Sequence, residues 1–144
     1  MKSKKSRAFS LLEIIFAIAI ISIIAIIAIP KFGTTLDKTY IIKIKSDIIL
    51  IRDGINRYKN KQILSGSSIS LDSLDDNDEL LFNKILSYPI VSSTTQKSAT
   101  WEKISATSYI VWLYNEKSLE FNYDKVKYTF DCNKNDENCK EFSQ

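Results

Sequence analysis

The sequence predicts an α+β protein in which a long N-terminal helix packs against a small antiparallel sheet of about three strands. Three features of the sequence support this fold class. Residues 9–29 form a continuous apolar run, and apolar residues continue after it at helical spacing. Between residues 109 and 132 the apolar residues alternate with polar ones, as in strands. Two cysteines, Cys132 and Cys139, lie close together after the last predicted strand.

The apolar run predicts a membrane-spanning helix. It reads FSLLEIIFAIAIISIIAIIAI and contains ten isoleucines and one charged residue, Glu13. At about 1.5 Å per residue the run spans roughly 30 Å, the thickness of the hydrocarbon core of a bilayer. Four basic residues precede it: Lys2, Lys4, Lys5 and Arg7. By the positive-inside rule this flank stays in the cytoplasm, and the residues after Pro30 lie outside.

The basic flank also accounts for the charge of the chain. There are 20 basic and 17 acidic residues, and the formal net charge is +3. Without the four flanking residues, 16 basic residues remain against 17 acidic ones. The overall basicity therefore indicates membrane orientation, and direct binding of nucleic acid by the monomer is not expected.

Two simple interpretations explain the N-terminal segment incompletely. A secretory signal has a shorter apolar core that ends in small residues, whereas this run ends at Pro30-Lys31-Phe32. A plain membrane anchor explains the length but not Glu13, because an ionisable group in hydrocarbon costs about 2.5 to 3.5 kcal/mol on insertion scales. Such a residue usually has a function and a partner.

The stretch Ala8-Phe9-Ser10-Leu11-Leu12-Glu13 resembles the prepilin signature of type IV pilins and type II secretion pseudopilins. The resemblance implies that prepilin peptidase cuts between Ala8 and Phe9 and methylates the new Phe9 amine. Glu13 and Pro30 then become the fifth and twenty-second mature residues, as in the family. Glycine usually precedes the cut, so Ala8 departs from the pattern and predicts slower cleavage. The implied regions are a leader (1–8), a transmembrane assembly helix (9–30) and an extracytoplasmic head with the second half of the helix (31–144).

Glu13 needs a cation or a proton inside a membrane. No lysine or arginine lies between Ser10 and Ile29, so the amine of processed Phe9 is the expected cation. In the family this amine belongs to a neighbouring subunit, which implies that Glu13 sets the packing of subunits. The alternative is a protonated carboxyl group with no role in assembly.

A second helical stretch follows Pro30, which is expected to kink the helix. The helix is expected to run to about Ile63 and to stop in the loop Ser65–Ser68. Its apolar face recurs every three or four residues and consists of Phe32, Leu36, Tyr40, Ile44, Ile48, Ile51, Ile55 and Tyr58.

A short second helix is predicted over residues 77–87, with Asp76 and Glu79 as a capping box and Pro89 after its end. The nearby acidic residues raise the question of calcium, but their spacing matches no EF-hand loop. Helix capping and a solvated loop are the preferred interpretation. The acidic residues are Asp72, Asp75, Asp76, Asp78 and Glu79. Residues 90–100 are predicted to be a loop.

Three strands are predicted at residues 109–114, 118–123 and 127–132, with turns at Asn115–Lys117 and Asp124-Lys125. Trp101 and Trp112 are expected to pack in the core or at its edge. A disulfide between Cys132 and Cys139 is favoured over free thiols if the head is exported. It would close a loop of eight residues and stabilise the head by roughly 2 to 3 kcal/mol.

The sequence favours a structural role over catalysis. It has no histidine, no Gly-rich phosphate loop and no nucleophile elbow, so neither an enzyme nor a metal or cofactor is expected. The resemblance implies an inner-membrane protein with a periplasmic head. Its implied partners are further copies, related pilin-like subunits, prepilin peptidase, an inner-membrane assembly platform and membrane lipid. A pseudopilin of secretion or DNA uptake, a surface pilin and a non-polymerising anchored head remain as alternatives.

Overall fold

A computed structural model describes residues 9–114 and 117–142, and of residues 29–36 it describes the backbone alone. The chain divides into two compact units with the boundary between Asp37 and Lys38, and the second unit is called the head below. The described elements are α1 Leu11–Leu64, β1 Leu80–Leu81, β2 Ile90–Val91, β3 Thr100–Lys103, β4 Ser108–Trp112, β5 Ser118–Asp124, β6 Thr129–Cys132 and a 3₁₀ helix Glu137–Glu141. The fold class is α+β, as predicted.

Helix α1 matches the predicted helix in both its membrane and its head portions. It ends beside Gly66, whose φ of 65° lies in the left-handed region that glycine adopts without strain. The Ser67 amide donates to the carbonyl of Gln62 at 3.1 Å, which satisfies one of the last carbonyls of the helix. The backbone of α1 is helical through Pro30, and the kink there stays a prediction. The side chains of Phe32 and Leu36 lie outside the described side chains.

The predicted apolar face of α1 forms one wall of the core of the head. Ile44, Ile48, Ile51 and Ile55 are all buried there, which confirms the helical spacing. Tyr40 and Tyr58 pack at the margin of this core and are partly buried. The opposite wall is the inner face of a sheet.

That sheet has four strands rather than the predicted three. Its order is β3-β4-β5-β6, and each neighbouring pair is antiparallel. Strands β4, β5 and β6 correspond to the three predicted strands, although β6 begins at Thr129 rather than Lys127. Strand β3 was missed because Thr100-Trp101-Glu102-Lys103 offers a single apolar residue and therefore no alternation to detect.

The predicted helix over residues 77–87 is wrong. The segment instead forms strand β1, which pairs with β2, followed by a turn. The Asn77 side chain accepts hydrogen bonds from the amides of Glu79 and Leu80 at 3.2 and 2.7 Å. This local turn uses the amides that would begin a helix, so the capping box of Asp76 and Glu79 does not form.

Phe82 then turns the chain into the core. Its φ is 62°, and its fully buried ring contacts the rings of Trp101, Tyr109 and Phe130. The turn packs closely on α1 at Gly54, where a Cβ atom would lie 2.8 Å from the carbonyl oxygen of Ile85. A glycine at this helical position therefore permits the turn to occupy the space between helix and sheet.

Candidate functional site

The N-terminal part of α1 carries the residues that sequence analysis assigned to assembly. Leu11–Ala28 is long and apolar enough to cross a membrane, with a mean hydropathy of 3.0, and none of it is buried within the protein. The helix begins directly after Ser10, whose carbonyl accepts a hydrogen bond from the Ile14 amide at 3.2 Å. The large apolar side chains of this segment point outward all round the helix, so their burial requires lipid or other protein.

Glu13 lies in the first turn of this apolar helix and is exposed. Among the described residues it has no hydrogen-bond or ion-pair partner. Phe9 precedes the helix and is also exposed, with 75% of its surface accessible. The four-residue separation of Phe9 and Glu13 corresponds to about one helical turn. One chain thus presents an unpaired carboxylate close to the position that processing would convert into an amino terminus.

Ser22, the other polar side chain within the span, is satisfied internally. Its hydroxyl donates to the Ile18 carbonyl one turn earlier, at 2.8 Å. This back-bonding lets a hydroxyl group reside in hydrocarbon without an external partner. Glu13 differs because its carboxylate can only accept hydrogen bonds, and no described residue donates one to it. The assembly residue Pro30 lies outside the described side chains, and the processing residue Ala8 lies outside the described residues altogether.

The predicted disulfide is confirmed. Cys132 and Cys139 are bonded and buried, and their Cα atoms are 5.7 Å apart, within the usual range. Asp136 caps the 3₁₀ helix that contains Cys139 by accepting a hydrogen bond from the Asn138 amide at 2.8 Å. Phe142 after this helix is buried, and the Lys45 ammonium of α1 lies 5.9 Å from the centre of its ring. The bond therefore ties the C-terminal segment to β6, and Phe142 brings the same segment next to α1.

Arg52 joins α1 to the last strand, a contact that sequence analysis missed. Its Nε donates to the carbonyl of Phe130 at 3.0 Å, and a terminal nitrogen lies 2.7 Å from Asp131. Phe130 belongs to an edge strand, whose carbonyls otherwise lack partners on one side. The Arg52 guanidinium donates a hydrogen bond to one of these carbonyls. In sequence Arg52 reads as an ordinary residue of the polar face of the helix, and nothing local identifies its partner.

The acidic cluster separates into residues with different roles. Asp75 is buried and accepts hydrogen bonds from the Tyr109 hydroxyl and the Lys103 ammonium, both at 2.7 Å. Burial opposes the charged form of Lys103, but the hydrogen bonds and charges of Asp75 and Asp78 outweigh it and raise the pKa of Lys103. Burial, and then the bond to Asp75, raise the pKa of Tyr109 well above its ordinary value. Asp75 therefore links the loop after α1 to strands β3 and β4.

The other acidic residues remain near the surface. Asp76 pairs with Lys84 at 3.2 Å, Asp78 shares the Lys103 ammonium at 2.8 Å, and Asp72 lies 3.9 Å from Lys125. Within residues 9–114 and 117–142, no group of three or more His, Cys, Asp or Glu side chains is arranged to hold a metal ion. The acidic residues of this region therefore form ion pairs with lysines of strand β3, of the turn after β1 and of the turn after β5.

Comparison with known proteins identifies the N-terminal segment. Residues 3–29 match the family model described as the prokaryotic N-terminal methylation motif, which is the signature of type IV pilins and pseudopilins. The match ends within the apolar helix and does not extend to the head. Neither a curated protein nor a solved structure matches the chain.

Proposed function

Because the N-terminal methylation motif implies a type IV pilin-like protein processed by prepilin peptidase, we propose that this chain is a structural subunit of a pseudopilus that serves type II secretion or DNA uptake. The observation that carries the proposal is Glu13. It is a lone carboxylate in an otherwise apolar, exposed span, and a subunit that offers it an amine removes a large desolvation cost.

The proposed assembly step follows from this electrostatic need. Prepilin peptidase removes residues 1–8 and so exposes the amine of Phe9, which it then methylates. The protonated amine is a cation beside the apolar helix. This amine pairs with Glu13 of an adjacent copy, and the two apolar helices pack side by side. The pair fixes the axial position of one helix against the next, because sliding by one turn would leave both charges unpaired in hydrocarbon. The role is structural, with no catalytic step in the head.

The proposed location is the inner membrane, which the protein crosses once, with the basic flank in the cytoplasm and the head in the periplasm. The Cys132–Cys139 disulfide supports this topology because such bonds persist in oxidising compartments. Proposed partners are copies of this chain, related pilin-like subunits and the inner-membrane assembly platform. The small four-stranded head favours a pseudopilus, whereas the disulfide-closed loop is also typical of surface pilins.

Replacement of Glu13 by alanine tests the proposal. We expect Glu13→Ala protein to reach the membrane fraction at the wild-type level and to form no detectable filaments, because the alanine helix inserts readily but has no charge to pair. Ser22→Ala is the matched control, since it removes the other polar group of the span, whose hydroxyl is already satisfied internally. Normal filaments from Glu13→Ala would contradict the assembly role.

A deletion strain distinguishes the finer alternatives. Loss of secretion or of transformation without loss of surface fibres is the result expected for a pseudopilus. Loss of fibres that can be sheared from the cell surface would identify a pilin instead. An unchanged strain in all three assays would indicate an anchored head that does not polymerise.

A further inference from the structure

A basic groove opens in the head between the end of α1 and the turn before β2. Its polar lining comes from Arg57, Tyr58, Lys61 and Gln62 on α1 and from Lys84 and Ser87 on the turn. Its volume is about 370 Å³, within the range of about 300 to 1,000 Å³ that small-molecule sites occupy. The groove is distinct from the N-terminal assembly segment.

The two chain stretches that line this groove contain no carboxylate of their own, and the carboxylates that pair with Arg57 and Lys84 are Asp53 and Asp76, which lie outside them. From Gly54 to Leu64 the chain has three basic residues and no carboxylate, and from Leu80 to Trp101 it has two lysines and no carboxylate. This distribution contrasts with the head as a whole, where acidic and basic residues nearly balance. A charge count over the entire chain hides such a local excess, which is why sequence analysis predicted no nucleic-acid surface.

The cations of the groove are available to a ligand. Lys61 has no ion pair with any described residue. Arg57 and Lys84 pair with Asp53 and Asp76 at 3.1 and 3.2 Å. Both side chains of the first pair are exposed, and in the second pair Asp76 is exposed while the Lys84 side chain is 32% exposed. Exposed ion pairs contribute little to stability, so a phosphate group can replace the carboxylate partner at low cost. A favourable position near the helix C-terminus is enough to explain Lys61 by itself. Separate roles of this kind do not explain why three cations line the same groove.

An exposed aromatic residue directly follows, in the chain, a residue that lines the groove. Tyr88 follows the lining residue Ser87, and 90% of its surface is accessible. A tyrosine in this position is unusual in a head whose other described aromatic side chains are mostly buried or partly buried. A basic groove with an adjacent exposed aromatic ring is the arrangement that binds single-stranded nucleic acid, because cations contact phosphates while the ring stacks on a base.

We propose that this groove binds single-stranded nucleic acid, with Arg57, Lys61 and Lys84 contacting phosphates and Tyr88 stacking on a base. Binding is largely independent of sequence, because none of these contacts reads the edge of a base. The proposal concerns one head and does not depend on filament assembly. Its failure would leave the proposed role of Glu13 intact.

The test is fluorescence anisotropy of a labelled oligo(dT) strand with the full chain in non-ionic detergent micelles. The triple variant Arg57→Gln, Lys61→Gln, Lys84→Gln is compared with a control of equal charge, Lys117→Gln, Lys134→Gln, Lys140→Gln, whose three lysines are exposed outside the groove. Both retain the basic N-terminal flank, so its contribution cancels. Thermal unfolding of both variants checks that the head remains folded.

We expect the groove variant to weaken binding about tenfold or more and the control to weaken it by less than about threefold. The slope of log affinity against log salt should become less negative by about 2 in the groove variant, since three phosphate contacts at about 0.7 each are lost. Equal losses in the two folded variants would overturn the proposal, because they would show that net charge alone attracts the strand. An absence of binding to wild-type protein would also overturn it.

Replacement of Tyr88 distinguishes binding of nucleic acid from binding of other polyanions. We expect Tyr88→Ser to weaken oligo(dT) binding about fivefold or more and to leave binding of inorganic polyphosphate, which has no bases, unchanged. If polyphosphate binds wild-type protein as tightly as oligo(dT) and Tyr88→Ser alters neither, the groove is a general polyanion site and the proposal for nucleic acid fails.

Discussion

The two portions of helix α1 use the same residue in opposite ways. Ile21 in the membrane portion has 65% of its surface exposed, whereas Ile48 in the head has 2%. Both portions are rich in isoleucine, but the head supplies a sheet and a turn that cover one face of the helix, and the membrane portion has no cover of its own. The comparison indicates that folding of the head buries the apolar face of one half of α1. The apolar surface of the other half is buried by lipid and by assembly with other subunits.

Alanine substitutions at these two isoleucines test the comparison and should give the largest difference in stability. We expect Ile48→Ala to lower the free energy of unfolding of the head by about 2 to 5 kcal/mol, because it removes buried methyl groups and leaves a cavity. Ile21→Ala is the matched change and should leave head stability within about 0.5 kcal/mol of the wild type. Urea unfolding in mild detergent, followed by tryptophan fluorescence, measures both. A similar loss in the two variants would refute the division.

Removal of the disulfide should have an intermediate effect that is confined to the head. We expect the double variant Cys132→Ser, Cys139→Ser to lose roughly 2 to 3 kcal/mol of stability, since the unfolded chain regains the freedom of the closed loop. The same urea assay measures the loss, and wild-type protein under reducing conditions should match the variant. Membrane insertion should not change. Unaltered head stability in the variant would contradict the structural role of the bond.

Alkaline pH should weaken the head by a smaller amount. The folded-state pKa values of Lys103 and Tyr109 are raised above their unfolded values of 10.5 and 10.0. Such groups stabilise the fold below the unfolded pKa, and that contribution is lost as pH rises, because the unfolded chain releases the proton first. A group that stays protonated in the folded head costs about 1.4 kcal/mol for each pH unit above its unfolded pKa.

Thermal melts at pH 9 and pH 11 measure this alkaline effect. Wild-type protein should melt at a lower temperature at pH 11, and Tyr109→Phe should show a smaller decrease, because the titrating hydroxyl is gone. Tyr88→Phe is the matched control, since Tyr88 is exposed and should decrease as the wild type does. If Tyr109→Phe is indistinguishable from the control, the buried contact with Asp75 does not couple stability to pH.

The sequence predicts best where a regular pattern extends over many residues. The apolar run, the spacing of Ile44, Ile48, Ile51 and Ile55, and the alternation of β4 to β6 all repeat often enough to identify the element. The pairing of the two cysteines could be predicted because the chain contains no other thiol. Glu13 was conspicuous in its apolar context, and its assembly role was implied by the resemblance to the prepilin signature. These features depend on periodicity or on a single chemical exception, both of which are local.

The remaining features depend on contacts between distant parts of the chain. The segment around Phe82 has the composition of a helix, yet the Asn77 turn and the space beside Gly54 direct it into the core. Strand β3 is too short to show a period and is recognised only through its pairing with β4. The Arg52 contact with Phe130 and the convergence of Arg57, Lys61 and Lys84 likewise join residues far apart in sequence. No local propensity encodes them.

The mature N-terminus of the protein tests the central claim most directly. Mass spectrometry of the protein from membranes of its native host should find a chain that begins at Phe9 and carries one additional methyl group on its amine. That product would supply the cation that Glu13 requires, and Ala8 would slow the cut without moving it. A chain that retains residues 1–8, or one that begins after Pro30 as a secreted protein would, contradicts the account.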